Sequence, residues 1–163
     1  MKEIIITKND SGQRTDKFLM KYFSKAPKSF VYKMLRKKRI KLNGAKADGA
    51  EMLNEGDSIQ MYLSEETMDG FKEERVIKKA SSDIDVVYED ENIIAVNKPA
   101  GVLSHAEKAG DDDTLIDRIL SYLNEKGEYD PEKERTFVPA LCNRLDRNTS
   151  GIVIAGKNSE ALR

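Results

Sequence analysis

Across positions 64–82 the chain is mostly charged or small and sustains no apolar period, whereas patterned apolar residues lie on both sides. That interruption limits what 163 residues can fold into. It reads as a linker between a first unit, 1–63, and a second, 83–163, so the chain must build two small cores. A unit of about 60 residues buries only about 60% of the surface its unfolded chain exposes, and it normally leans on a partner.

In the first unit Ile4-Ile5-Ile6 belongs to a short strand read over 2–7, broken by Asp10-Ser11-Gly12. Over 14–23 the apolar residues Phe18, Leu19, Tyr22 and Phe23 fall on one helical face, with Arg14, Lys17, Lys21 and Lys25 on another. Pro27 punctuates, and a second helix follows over 28–37 with Val31, Met34 and Leu35 inward. Ile40-Lys41-Leu42 alternates into the turn signal Asn43-Gly44, and 58–63 alternates again after Glu55-Gly56-Asp57.

The formal net charge of −1 conceals a segregation. Between Gln13 and Lys46 lie twelve cations and one acid, Asp16, so this segment carries +11 and the remainder −12. A merely solvated helix pair mixes lysine with glutamate. Cations of nearly uniform sign on adjacent helices suit a phosphate backbone, where each Lys or Arg releases condensed counterions. The residues read as contacting nucleic acid here are Arg14, Lys17, Lys33, Arg36, Lys37, Arg39 and Lys41.

The second unit opens with two apolar runs, 84–88 and 92–97, around Glu89-Asp90-Glu91, which read as a hairpin stopped by Pro99. Thr114 with Asp117 forms a capping-box start for a helix whose inner face is read as Ile116, Ile119, Leu120 and Leu123. Ile152 to Ala155 reads as a buried strand, and 158–163 as the start of a helix. The class is α+β, and the small strand-rich second unit has too little chain to bury both faces of a sheet.

Bulk properties exclude several functions. No apolar run approaches the roughly 20 residues of a membrane span, and the N-terminus lacks a signal-peptide core. A lone cysteine, Cys142, read as a small buried residue, excludes an intrachain disulfide and fits a cytoplasmic chain. With one cysteine and one histidine, His105, a thiolate–imidazole zinc cluster is not available, so no metal is expected.

The chemistry concentrates in Asn143-Arg144-Leu145-Asp146-Arg147-Asn148-Thr149-Ser150-Gly151. A carboxylate flanked by two cations is held ionised, suited to act as nucleophile or base, and the cations suit a polyanion. The same pattern also describes a turn carrying a surface ion network.

Two resemblances bear on this choice. Arg14-Thr15-Asp16-Lys17-Phe18-Leu19, Met34-Leu35-Arg36-Lys37, Ile40-Lys41-Leu42-Asn43-Gly44 and Glu55-Gly56-Asp57 resemble the alpha-L RNA-binding module first seen in ribosomal protein S-four. That module usually has glycine where this chain has Lys38, which leaves the second helix without its usual left-handed cap. The segment 143–151 resembles the active-site motif of RluA-type pseudouridine synthases, and the run from Tyr88 through Asn97-Lys98-Pro99-Ala100-Gly101 to His105 resembles that family's other N-terminal motif. The resemblance implies a small S-four-like domain followed by the first part of a mixed or antiparallel-sheet catalytic domain.

By that resemblance Asp146 is the catalytic carboxylate, acting on a uridine flipped out of its stack. Arg144 fills the vacated stack or holds phosphate, and Arg147 contacts backbone. Asn143, Thr149, Ser150, Gly151 and Lys98 shape the loop. The family commonly has histidine where this chain has Asn143, which cannot titrate near neutral pH. It also uses a tyrosine beyond the catalytic aspartate, and no tyrosine follows Asp146, so the chain is read as an N-terminal fragment that binds RNA but turns over little or nothing. No cofactor is implied, the chain is expected to be a monomer, and the partner is RNA, with large-subunit ribosomal RNA first and transfer RNA second.

Two other readings stay open. One is a non-catalytic RNA-binding or ribosome-assembly factor with an inert second unit. The other, a carboxylate-dependent hydrolase of phosphorylated sugars, leaves the basic segment unexplained.

Overall fold

The apolar phases of the first unit become two helices on an antiparallel sheet. A computed structural model describes all residues, 1–163, and divides them into Met1–Glu74 and Arg75–Arg163. In the first, β1 (Lys2–Ile5) is followed by α1 (Thr15–Tyr22), α2 (Lys28–Arg36), β2 (Ile40–Leu42), β3 (Ala45–Lys46), β4 (Ser58–Met61) and α3 (Glu65–Gly70). The sheet order is β1-β4-β2-β3, with Ile4 and Leu42 both in register with Ile59. Phe18, Leu19, Phe23, Val31 and Leu35 bury against Ile4, Ile40, Ile59 and Met61. Asn43 and Gly44, both at positive φ (50° and 81°), close the tight turn between β2 and β3.

Two expectations for this unit change. The segment read as a linker begins with α3, whose N-terminus is capped by the Ser64 hydroxyl accepting from the Thr67 N–H at 3.2 Å. Met68 is buried, and the Phe71 ring lies 4.5 Å from that of Phe30. Six helical residues are too few to show a period, so two apolar anchors among charges pass for linker. Nor does α2 lack its left-handed cap. Lys38 takes that conformation itself (φ 58°), with the Lys38 N–H donating to the Leu35 carbonyl and the Arg39 N–H to that of Met34, each at 3.0 Å. This is the Schellman arrangement, built without glycine at a cost of about 1 kcal/mol.

The second unit runs β5 (Asp85–Glu89), β6 (Ile93–Lys98), α4 (Leu115–Glu125), β7 (Ala140–Leu141) and β8 (Gly151–Gly156), in a wholly antiparallel sheet of order β5-β6-β8-β7. The capping box forms in full, with Thr114 Oγ1 accepting from the Asp117 N–H and the Asp117 carboxylate accepting from the Thr114 N–H. The buried stripe of α4 is Leu115, Ile119 and Leu123, packed on Ile94, Val96, Val153 and Ala155. Ile116 lies beside that stripe rather than in it.

Only one face of β8 is covered: Ile152 and Ile154 are exposed, whereas Val153 and Ala155 are fully buried. The apolar run read as a buried strand is thus covered on one face only, in line with a unit that has too little chain to bury both faces of a sheet. Cys142 is likewise exposed, because its backbone N–H pairs with the Ile154 carbonyl at the end of the β7 ladder while its side chain faces out. Residues 158–163 form turns, not a helix, and fold Leu162 back onto Gly156. No helix is long and apolar enough to cross a membrane.

Candidate functional site

The loop 143–150 is held by a second loop, 99–104, and the reason begins with Pro99. Lacking an N–H, proline ends β6 at Lys98, and the chain turns through Gly101 (φ 93°). The far end of this turn is pinned to the start of α4, where the Leu115 and Ile116 N–H groups donate to the carbonyls of Leu103 and Ser104.

Two clamps then join the loops. Ser104 Oγ accepts from the Leu145 N–H (3.1 Å) and donates to the Leu145 carbonyl (2.7 Å). The Arg147 carbonyl accepts from the Gly101 N–H (2.7 Å) and from Lys98 Nζ (3.0 Å). Asp146, between the clamped residues, is left with its side chain exposed. The Leu145 side chain points the other way, where a Cβ at Gly151 (φ 146°) would stand 3.2 Å from its Cδ1. Glycine at 151 thus leaves room for the leucine that seats the loop.

Lys98 is completely buried, and its ammonium also donates to the carbonyls of Pro99 (3.1 Å) and Val102 (2.8 Å). Burial pushes its pKa below the ordinary lysine value, while the nearby Asp146 carboxylate pulls it back up. Asn143 grips β8 through its side-chain amide: Nδ2 donates to the Ile152 carbonyl (3.2 Å) and Oδ1 accepts from the Ile154 N–H (2.8 Å). An amide can donate and accept at once along a strand in this way. The Thr149 N–H closes the turn onto the Asp146 carbonyl at 3.0 Å, and the Thr149 and Ser150 side chains are exposed.

Asp146 opens into a hollow of about 810 Å³ lined by Leu103, Ser104, His105, Arg144 and Arg147, among others. The alternative reading of this segment, a turn carrying a surface ion network, is not what forms here. The ion pairs of this unit form at Arg118–Asp113, at Lys133–Asp130 and around Glu89 and Glu128, and the side chains of Arg144, Asp146 and Arg147 are exposed. His105, read as a structural or loop-bonded histidine, lines the hollow with both ring nitrogens buried and unbonded. Asp113, read as part of a solvated acidic loop, is instead held by Arg118 through two bonds of 3.0 and 2.7 Å.

In the first unit Lys17, Lys33, Arg36, Lys37 and Arg39 are exposed, and the last four gather at the end of α2. Lys41 sits on β2 with its ammonium 5.2 Å from the centre of the Tyr62 ring. Arg14 is turned onto Asp16 by a bidentate pair, Nε–Oδ1 3.1 Å and Nη2–Oδ2 2.9 Å. The buried Asp16 is the lone acid that the charge count had isolated. Sequence reasoning missed Ser104, whose only signal was its place after the proline turn, and the contacts of Glu107 and Ala106 with the hollow.

Residues 92–163 match the family model described as RNA pseudouridylate synthase. The chain is 38% identical over 161 residues to an uncharacterized RNA pseudouridine synthase of Mycoplasma capricolum, covering 97% of this chain and 51% of that protein. It is 31% identical over 166 residues to the ribosomal large subunit pseudouridine synthase C of Escherichia coli K12, covering 100% of this chain and 48% of the relative. A Mycoplasma pneumoniae RNA pseudouridine synthase is 28% identical over 162 residues, with 99% and 49% covered. The chain thus spans about half the length of the curated relatives it matches. Residues 92–163, which carry the turn at Lys98-Pro99 and the clamped Asp146 loop, are thus similar to the RNA pseudouridylate synthase family, and relatives named as RNA pseudouridine synthases align over nearly the whole chain.

Proposed function

We propose that this chain serves in the isomerisation of specific uridines in RNA to pseudouridine, with Asp146 as the catalytic carboxylate and large-subunit ribosomal RNA as the substrate. The observation that carries this reading is the pair of clamps on Leu145 and Arg147, which leaves the Asp146 carboxylate projecting into an open hollow rimmed by Arg144 and Arg147. Isomerisation breaks the bond from uracil N1 to ribose C1′, turns the base, and forms the bond from C5 to C1′. The C5 proton leaves and N1 gains one, so composition is unchanged and no redox partner is required. The carboxylate either attacks covalently or removes a ribose proton. A uridine in a stem must first be flipped out, and Arg144 is the residue proposed to occupy the vacated stack, with Arg147 on the backbone.

In the same reading 1–63 forms an S-four-like RNA-binding domain. The support is its exposed cations at the end of α2 and two helices on a small antiparallel sheet. Such a unit recognises structured RNA by shape and phosphate contacts.

The test is to map pseudouridine in ribosomal RNA from cells lacking the gene. One missing site is expected, restored by the wild-type gene and not by Asp146→Ala, with RNA binding by the variant nearly unchanged. Restoration by Asp146→Ala would remove Asp146 from the catalytic role, and an unaltered map would favour a binding factor.

A further inference from the structure

Tyr32 lies on the outward side of α2, 47% exposed, yet its hydroxyl is not free: it donates to Asp16 Oδ2 at 3.1 Å. The same oxygen accepts from Arg14 Nη2 at 2.9 Å, and Asp16 Oδ1 accepts from the Lys17 N–H at 2.8 Å. Burial alone would push the Asp16 carboxyl up, but these bonds from Arg14, Tyr32 and Lys17 together hold it below its ordinary value. Asp16 is 1% exposed, and its backbone is held by the turn at Gly49, whose carbonyl accepts from the Asp16 N–H at 2.9 Å. A Cβ at Gly49, already at φ 100°, would come within 3.2 Å of the Asp16 Cβ.

A buried carboxylate thus fixes two surface groups side by side, an aromatic ring and a guanidinium. Next to the ring is a shallow hollow of about 230 Å³ lined by Tyr32, Leu35, Arg36, Lys46, Ala47 and Asp48. The floor is apolar and the rim cationic. Asp48 is the one acid there, and it is engaged by Lys46 at 3.4 Å. An exposed tyrosine with a free hydroxyl would sample rotamers; tethering the hydroxyl to Asp16 removes that freedom in advance of binding.

We infer that Tyr32 is a stacking platform for one unpaired nucleobase of the RNA, with Arg14 and Arg36 positioned to take the adjacent phosphates and Asp16 holding Tyr32 and Arg14 in place. This rests on the reading of the first unit as RNA-binding and adds to it a preference for RNA with an unstacked base. An aromatic face accepts any base, so the preference is for a bulge or loop and not for a sequence.

The experiment uses the full 163-residue chain and two RNA hairpins, one fully paired and one identical but for a single bulged 2-aminopurine. The wild type is expected to bind the bulged hairpin roughly tenfold more tightly and to change the fluorescence of its 2-aminopurine. Tyr32→Ala is expected to bind both hairpins equally, with an unaltered salt dependence, whereas Tyr32→Phe keeps a ring and most of the preference. Thermal unfolding of each variant reports whether the unit still folds; if Tyr32→Ala is unfolded, the comparison between Tyr32→Phe and Tyr32→Leu decides. A preference for the bulged hairpin that survives loss of the ring would overturn the platform. Binding of neither hairpin, or binding of the paired hairpin that Arg36→Glu leaves unchanged, would overturn the reading of the first unit as RNA-binding instead.

Discussion

Replacing Lys98 by methionine tests the architecture of the site most directly. The buried ammonium donates to three carbonyls, those of Pro99, Val102 and Arg147, at 3.1, 2.8 and 3.0 Å. Bonds from a charged donor contribute about 1.5–3 kcal/mol each, against a cost of several kcal/mol for taking an ammonium out of water. The Arg147 carbonyl keeps the Gly101 N–H as a partner, but those of Pro99 and Val102 lose theirs. Removing one side of such a buried charged cluster is therefore expected to cost about 3 kcal/mol. In a unit of this size that lowers the melting temperature by more than about 10 °C.

The loss should be local to the second unit. Hydrogen exchange followed by mass spectrometry separates the two units in one urea series, and peptides spanning 98–104 and 143–150 are expected to lose protection while those of α1 and α2 keep theirs. A pH signature accompanies it. Because the folded Lys98 pKa lies below the ordinary 10.5, the unfolded chain binds the proton more readily, so this residue's contribution to stability rises as pH climbs through the folded value toward 10.5. Lys98→Met abolishes that rise. Protection of both loops unchanged in the variant, with less than about 1 kcal/mol lost, would refute the claim that Lys98 holds the Asp146 loop.

Two further predictions concern stability. Glu89 accepts from Tyr122, Lys126 and Lys157 at 2.8, 2.9 and 3.0 Å; burial opposes its ionisation, but these bonds bring its pKa down to about 2. Its stabilisation is complete above the unfolded value of 4.5 and lost as pH falls through about 2; after allowance for solvent screening it contributes about 1–2 kcal/mol. Urea titrations should therefore show wild type and Glu89→Gln apart at pH 6 and converging by pH 2, and a gap constant with pH would contradict this. Lys38→Gly relieves the left-handed backbone at φ 58° and is expected to stabilise the first unit by about 1 kcal/mol; a lowered urea midpoint would show that the cap is not strained.

Much of the fold was legible because it is encoded over short distances in the chain. The Thr114–Asp117 box, the Asn43-Gly44 turn and the stop at Pro99 each involve residues within four positions of one another, and local sterics and hydrogen bonding decide them. The helical stripe of Phe18, Leu19 and Tyr22 is of the same kind. Where local signal was thin, reading failed: α3 is too short to show a period, so its buried Met68 passed for linker.

The sequence by itself determined which groups this protein can bring to its chemistry: the segregated cations of 13–46, the single acid among them, and the segment around Asp146. Tertiary structure decided what those groups do to one another. Ser104 reaches Leu145 across 41 positions and Lys98 reaches Arg147 across 49, and these contacts, not the adjacent arginines, leave Asp146 facing the hollow. Asp16 likewise became a buried tether for Tyr32 only when α1 and α2 packed together. The physical reason is that charge and periodicity are properties of the chain, whereas desolvation and pairing depend on which distant segment closes over a group.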